Sequence, residues 1–77
     1  MEKELIRKAI GENIRALRLR DSVDLQSLAD EMGTSPGYLG LVERGRRGLS
    51  HNDMNYLSRF FKVSIDEIFK PYGYETP

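Results

Sequence analysis

The sequence predicts an all-α fold, a compact five-helix domain, and three observations carry that prediction. Apolar residues recur at helical spacing in segment after segment, and no stretch alternates with the period of two that marks a half-buried strand. Residues that start helices, Asp24, Ser35, Ser50 and Ser64, stand just ahead of these segments. The connections are short, with no internal repeat and no low-complexity run. A length of 77 residues allows one domain, near the size at which a single core barely suffices.

The first helix is expected over about residues 4–20. In LIRKAIGENIRALRLR, Ile6, Ile10, Ile14 and Leu17 fall on one face and the charges on the other, while Leu19 points away from the stripe. Asp24 caps a second helix over about 25–32, where Leu25, Leu28, Ala29 and Met32 share a face, and Gly33 follows as a left-handed stop. Ser35 caps a third helix over about 36–44. Pro36 sits in its first turn, where a missing N–H is tolerated, and Gly45 closes it. Ser50 and Asp53 resemble a capping box ahead of a fourth helix over about 51–61, with the stripe Met54, Leu57 and Phe61. Ser64 and Glu67 make a fuller box for a fifth helix over about 65–69. Phe61, Ile65 and Phe69 are expected to close the core. Residues 1–70 read as a single domain and 71–77 as an irregular tail after Pro71.

Composition narrows the chemistry. There is no cysteine, so neither a disulfide framework nor a thiolate metal site is available. The lone His51, beside the Ser50 cap, cannot assemble a metal cluster or a Ser-His-Asp triad. No nucleophile–base pair can be built from the residues present, so the chain does not read as an enzyme and no cofactor or metal is expected. No apolar run approaches a membrane span and no signal-peptide pattern is seen. The expectation is a soluble cytoplasmic protein, nucleoid-associated if it binds DNA. Twelve basic and twelve acidic residues cancel, so any attraction to nucleic acid must come from where the charges lie.

The stretches IGENIRALR, LADEMGTS, YLGLVERGRR and VSIDEIF stand in order over residues 10 to 69. With them the chain resembles the phage repressor and Cro-type (xenobiotic-response-element) helix-turn-helix family, lambda-repressor-like in fold. The second helix, the tight GTS connection and the third helix form the turn unit. The resemblance implies a transcriptional regulator that binds duplex DNA, usually as a homodimer, with the third helix in the major groove. It also implies a structural ion pair between Arg18 and Glu43, two opposite charges that each flank an apolar stripe. The residues it sets against DNA are Ser35, Pro36, Gly37, Tyr38, Gly40, Leu41, Arg44, Arg46 and Arg47.

At roughly 100° per residue, Leu39, Val42 and Ser35 share the inner side of the third helix, with Tyr38 and Glu43 on its borders. Gly37, Gly40, Leu41 and Arg44 face outward, with Pro36 near the start. Relatives that read bases carry Gln, Asn, Ser, Arg or Lys at such places; here only Arg44 can hydrogen-bond a base edge. Leu25 stands where the family commonly has a glutamine. The outer face therefore admits three readings. Leu41 and Pro36 can touch thymine methyls while the glycines bring the backbone close. The face can instead dock a protein partner, making the domain an interaction module with a degenerate DNA-reading surface. Or these residues are simply tolerated on an exposed surface.

Arg44, Arg46 and Arg47 in ERGRRG suit phosphate oxygens, and Ser35 adds a helix N-terminus. About three such contacts predict a log–log salt slope near −3 per protomer. Asp21, Asp30 and Glu31 oppose them, so modest affinity is expected. Tyr56, Phe60, Tyr72 and Tyr74 are candidates for a dimer seam; the alternative is that the tail folds back over its own core.

Overall fold

The computed structural model describes residues 2–69. The chain forms five helices, α1 (Glu2–Arg20), α2 (Leu25–Met32), α3 (Pro36–Glu43), α4 (His51–Phe61) and α5 (Ile65–Phe69). There is no strand among the described residues. The tail, with Tyr72 and Tyr74, lies outside the described residues. Helix α1 starts two residues earlier than its spacing predicts, and α3 ends one residue sooner.

Local hydrogen bonds explain where the helices start. The Asp24 carboxylate accepts from the Ser27 N–H at 2.7 Å. The Ser35, Ser50 and Ser64 hydroxyls accept from the N–H groups of Tyr38, Asp53 and Glu67 at 3.1, 3.1 and 3.3 Å. Each bond satisfies one of the donors that a helix start leaves orphaned. Helix α2 stops at Gly33 (φ 72), and the Thr34 N–H returns to the Ala29 carbonyl at 2.9 Å. Helix α4 stops at Lys62, a left-handed non-glycine residue at φ 58. There Arg20 reaches across the fold and donates to the Phe61 carbonyl at 3.0 Å.

Ile10, Ile14, Leu28, Ala29, Leu39, Val42, Leu57, Phe61 and Ile68 form one buried cluster. Full burial of each large aliphatic or aromatic side chain contributes roughly 1.5–3 kcal/mol. Leu17, Leu25, Met32, Tyr56 and Phe60 pack against this cluster while partly buried. Two expectations about the core are corrected. Ile6 is exposed and Ala9 takes the buried place, because the first turns of α1 run past the elements that cover Ala9 and Ile10. In α5, Ile68 alone is buried, whereas Ile65 and Phe69 are exposed. A helix of five residues turns a single position inward, and Asn13 ties it to α1 by donating to the Ile68 carbonyl at 2.9 Å. Among the described residues no helix is long and apolar enough to cross a membrane.

Helices α1 and α3 meet backbone to backbone. Gly11 is buried at their crossing, and a Cβ there would overlap the carbonyl oxygens of Val42 and Glu43. Glycine at this one place lets α1 lie against the last turn of α3. The position of α3 on the domain follows from that contact.

Candidate nucleic-acid interface

A clamp of charge holds α3 in place. Arg18 donates from Nε to Glu43 Oε2 at 2.7 Å and from Nη2 to Oε1 at 3.1 Å, a two-pronged fork. Its Nη1 donates to the Val23 carbonyl at 3.0 Å. The side chains are only 12% and 6% exposed. The hydrogen bond to Glu43 holds the Arg18 guanidinium above its usual range, against the opposing cost of desolvation. The clamp ties the end of α3 to α1 and to the loop entering α2.

The outward face of α3 is flatter than helical angles predict. Gly37 and Arg44 are exposed, while Pro36, Tyr38 and Leu41 are half-buried. Gly40, expected to face outward, is buried. It carries no side chain of its own, and the Arg44 guanidinium and a Leu25 methyl lie across it: a Cβ at Gly40 would meet them at 3.4 and 3.7 Å. Ser35, expected on the inner side, is exposed at the cap. Leu25 is half-buried, shared between the core and this face. Arg44, the residue that caps the end of α3, brings exposed hydrogen-bond donors to the edge of this face.

The arginines that follow do separate things. Arg44 and Arg46 are exposed. Arg47 stacks over the Tyr38 ring at 5.3 Å, and the Tyr38 hydroxyl donates to the Gly48 carbonyl at 3.3 Å. The loop is thereby braced on α3. Of the acids expected to oppose a polyanion, Asp21 is bound by Arg20 at 2.8 Å, which holds its carboxyl below the usual range. Asp30 accepts from Gln26 at 3.1 Å.

Two basic residues join this surface that helical spacing alone does not single out. Gly45 (φ 78) packs on the backbone of α1, and a Cβ there would lie 2.7 Å from the Lys8 Cα. Lys8 and Arg7 are thus brought beside the arginine loop. Together with Glu4, Arg44, Gly45 and Arg46 they line an open cleft of about 390 Å³. The signal was present in the sequence as Gly11 in the middle of a helix and Gly45 in the loop, two places where backbones can touch.

Of the aromatic side chains expected at a dimer seam, Tyr56 and Phe60 lie among the described residues and both make contacts within the chain. Tyr56 stacks on Phe60 at 6.0 Å and donates to the Glu31 carbonyl at 3.2 Å, and Phe60 meets Phe61 edge-on at 5.0 Å. Among the described residues of this end, the large exposed apolar side chains are Ile65 and Phe69.

A short helix held against α1 by an ion pair shielded from solvent, preceded by a capped helix and a tight turn and followed by a basic loop, defines a helix-turn-helix domain. No protein-family model matches the chain. The Competence pilus inhibition repressor of Acinetobacter baylyi is 37% identical over 60 residues, 78% of this chain and 54% of that protein. The chain therefore spans about half the length of this curated relative. The solved structure of the clp gene regulator ClgR from Corynebacterium glutamicum is 33% identical with a TM-score of 0.75, covering 83% of each chain. That of the restriction-modification controller protein C.AhdI from Aeromonas hydrophila is 28% identical with a TM-score of 0.74, over 82% of this chain and 96% of the other. The chain belongs to the family of helix-turn-helix transcriptional regulators.

Proposed function

We propose that the chain binds duplex DNA as a homodimer of the phage repressor and Cro type, laying α3 in the major groove and Arg44, Arg46 and Arg47 on phosphates. The observation that carries this reading is the arrangement at the end of α3. Three exposed arginines follow a helix whose outward face is nearly free of long side chains, and neither ion pair among the described residues engages them. Eight helical residues span about 12 Å, the width of the major groove. The exposed Gly37 allows the start of the helix backbone to come close to base edges.

Such a surface binds mainly through phosphates. Base discrimination is correspondingly weak: Leu41 and Pro36 are limited to contact with thymine methyls, and Arg44 adds roughly 1–3 kcal/mol only where it exchanges its phosphate for a fork onto a guanine. The homodimer reading is supported by the exposed Ile65 and Phe69 beside the core. A mass by light scattering that stays monomeric at high concentration would remove it. The DNA reading is tested by two variants. Arg46→Ala with Arg47→Ala should weaken binding to every duplex alike, and Leu41→Ala should change preference among sequences more than overall affinity. Unchanged affinity in the double variant would refute the phosphate role.

A further inference from the structure

The cleft between the start of α1 and the loop after α3 collects four cations from two distant stretches of chain. Arg7 and Lys8 come from α1, Arg44 and Arg46 from the end of α3 and its loop. Neither of the two ion pairs among the described residues engages any of them. Only Glu4, one helical turn before Arg7 and Lys8, brings a carboxylate to the lining. Backbone contacts at Gly45 and Gly11 set the walls of the cleft, and the Arg7 side chain lies against Gly48. Gly45 rests on Lys8, a Cβ at Gly48 would lie 3.1 Å from the Arg7 Nε, and Gly11 seats α1 on α3. Like charges gathered at a fixed opening, with nothing anionic paired to them, raise the local potential for an anion.

We infer that this cleft is a phosphate subsite, and that Arg7 and Lys8 extend the DNA contact of the loop by one backbone phosphate while Glu4 restrains it. The inference rests on the DNA reading proposed above. It assigns to the first turns of α1 a part in binding separate from their part in the fold. Arg44 is shared between the two surfaces, lying across Gly40 on one side and lining the cleft on the other. A phosphate seated in the cleft would therefore also fix Arg44, the cap residue at the end of α3.

The test is the salt dependence of binding to a random-sequence duplex, using the full chain. Losing one phosphate contact lowers the magnitude of the log–log slope by about 0.9. That corresponds to about eightfold weaker binding at about 0.1 M salt, measured from a common value extrapolated to 1 M. Arg7→Ala with Lys8→Ala should show this loss equally on all sequences. Glu4→Gln should tighten binding, a direction that damage to the fold does not produce. Equal slopes for wild type and double variant, or no tightening in Glu4→Gln, would overturn the inference. If the wild-type chain binds no duplex even at low salt, the DNA reading fails on its own, and inorganic pyrophosphate then decides the cleft. Saturable shifts of the Gly45 and Arg46 amide resonances that vanish in the double variant would support an anion subsite; unmoved amides would overturn it.

Discussion

The same substitution, glycine to alanine, should have opposite effects in α1 and α3. Inside a helix, alanine in place of an unconstrained glycine stabilises by roughly 0.5–1 kcal/mol. Gly37 meets that condition: it is exposed, and the nearest atom to an added Cβ is the Ser35 Oγ at 3.9 Å. Gly40 nearly meets it, since the closest atom, at 3.4 Å, belongs to the flexible end of Arg44. At Gly11 the added Cβ meets carbonyl groups of Val42 and Glu43, which are backbone and cannot rotate aside. Overpacking of this kind costs about 1–3 kcal/mol and more when backbone must move, which exceeds the propensity gain. Gly11→Ala should therefore destabilise by about 2 kcal/mol, lowering the Tm by roughly 10 °C at about 4–8 °C per kcal/mol for a domain of this size. Gly37→Ala should raise it by a few degrees. Urea and thermal unfolding followed by helical circular dichroism measure both. A Gly11→Ala variant as stable as wild type would refute the backbone contact that positions α3.

The buried clamp and the caps make further predictions. Glu43→Gln leaves the Arg18 guanidinium, in a side chain only 12% exposed, without its counter-charge. Breaking a buried pair in this way costs about 3–5 kcal/mol, readable as a lowered urea midpoint at unchanged m-value. Acid should weaken the start of α2. The Asp24 carboxyl is held below its ordinary value of 3.8 chiefly by the backbone N–H of Ser27. A depressed native pKa adds stability that is complete above the unfolded value and is lost as pH falls through the native one. The loss should thus develop below about pH 4, and Asp24→Asn, which keeps a capping oxygen, should flatten that limb of the pH–stability curve.

The fold was legible because its signals are local. Asp24, Ser35, Ser50 and Ser64 all cap the helices they precede, since a capping hydroxyl or carboxylate acts within its own turn. The departures arise where a third element decides exposure. Ile65 and Phe69 match an apolar spacing, but α5 is too short to bury more than Ile68. Gly40 lies outward by angle, yet Leu25 and Arg44 cover it. Arg7 and Lys8 read as ordinary surface charges on α1 until Gly45 brings the loop against them. The outer face of α3 was legible in its chemistry, an apolar surface with one arginine, while its flatness depends on neighbours from α2 and on Arg44 itself.

This domain is proposed to meet DNA through a phosphate-dominated surface of arginines behind α3. Binding of the wild-type chain to a random-sequence duplex, titrated from low to moderate salt, tests it most directly. The account predicts measurable binding at low salt and a log–log slope of about −3 per protomer or steeper. No binding at low salt, or binding with a slope near zero, would contradict it.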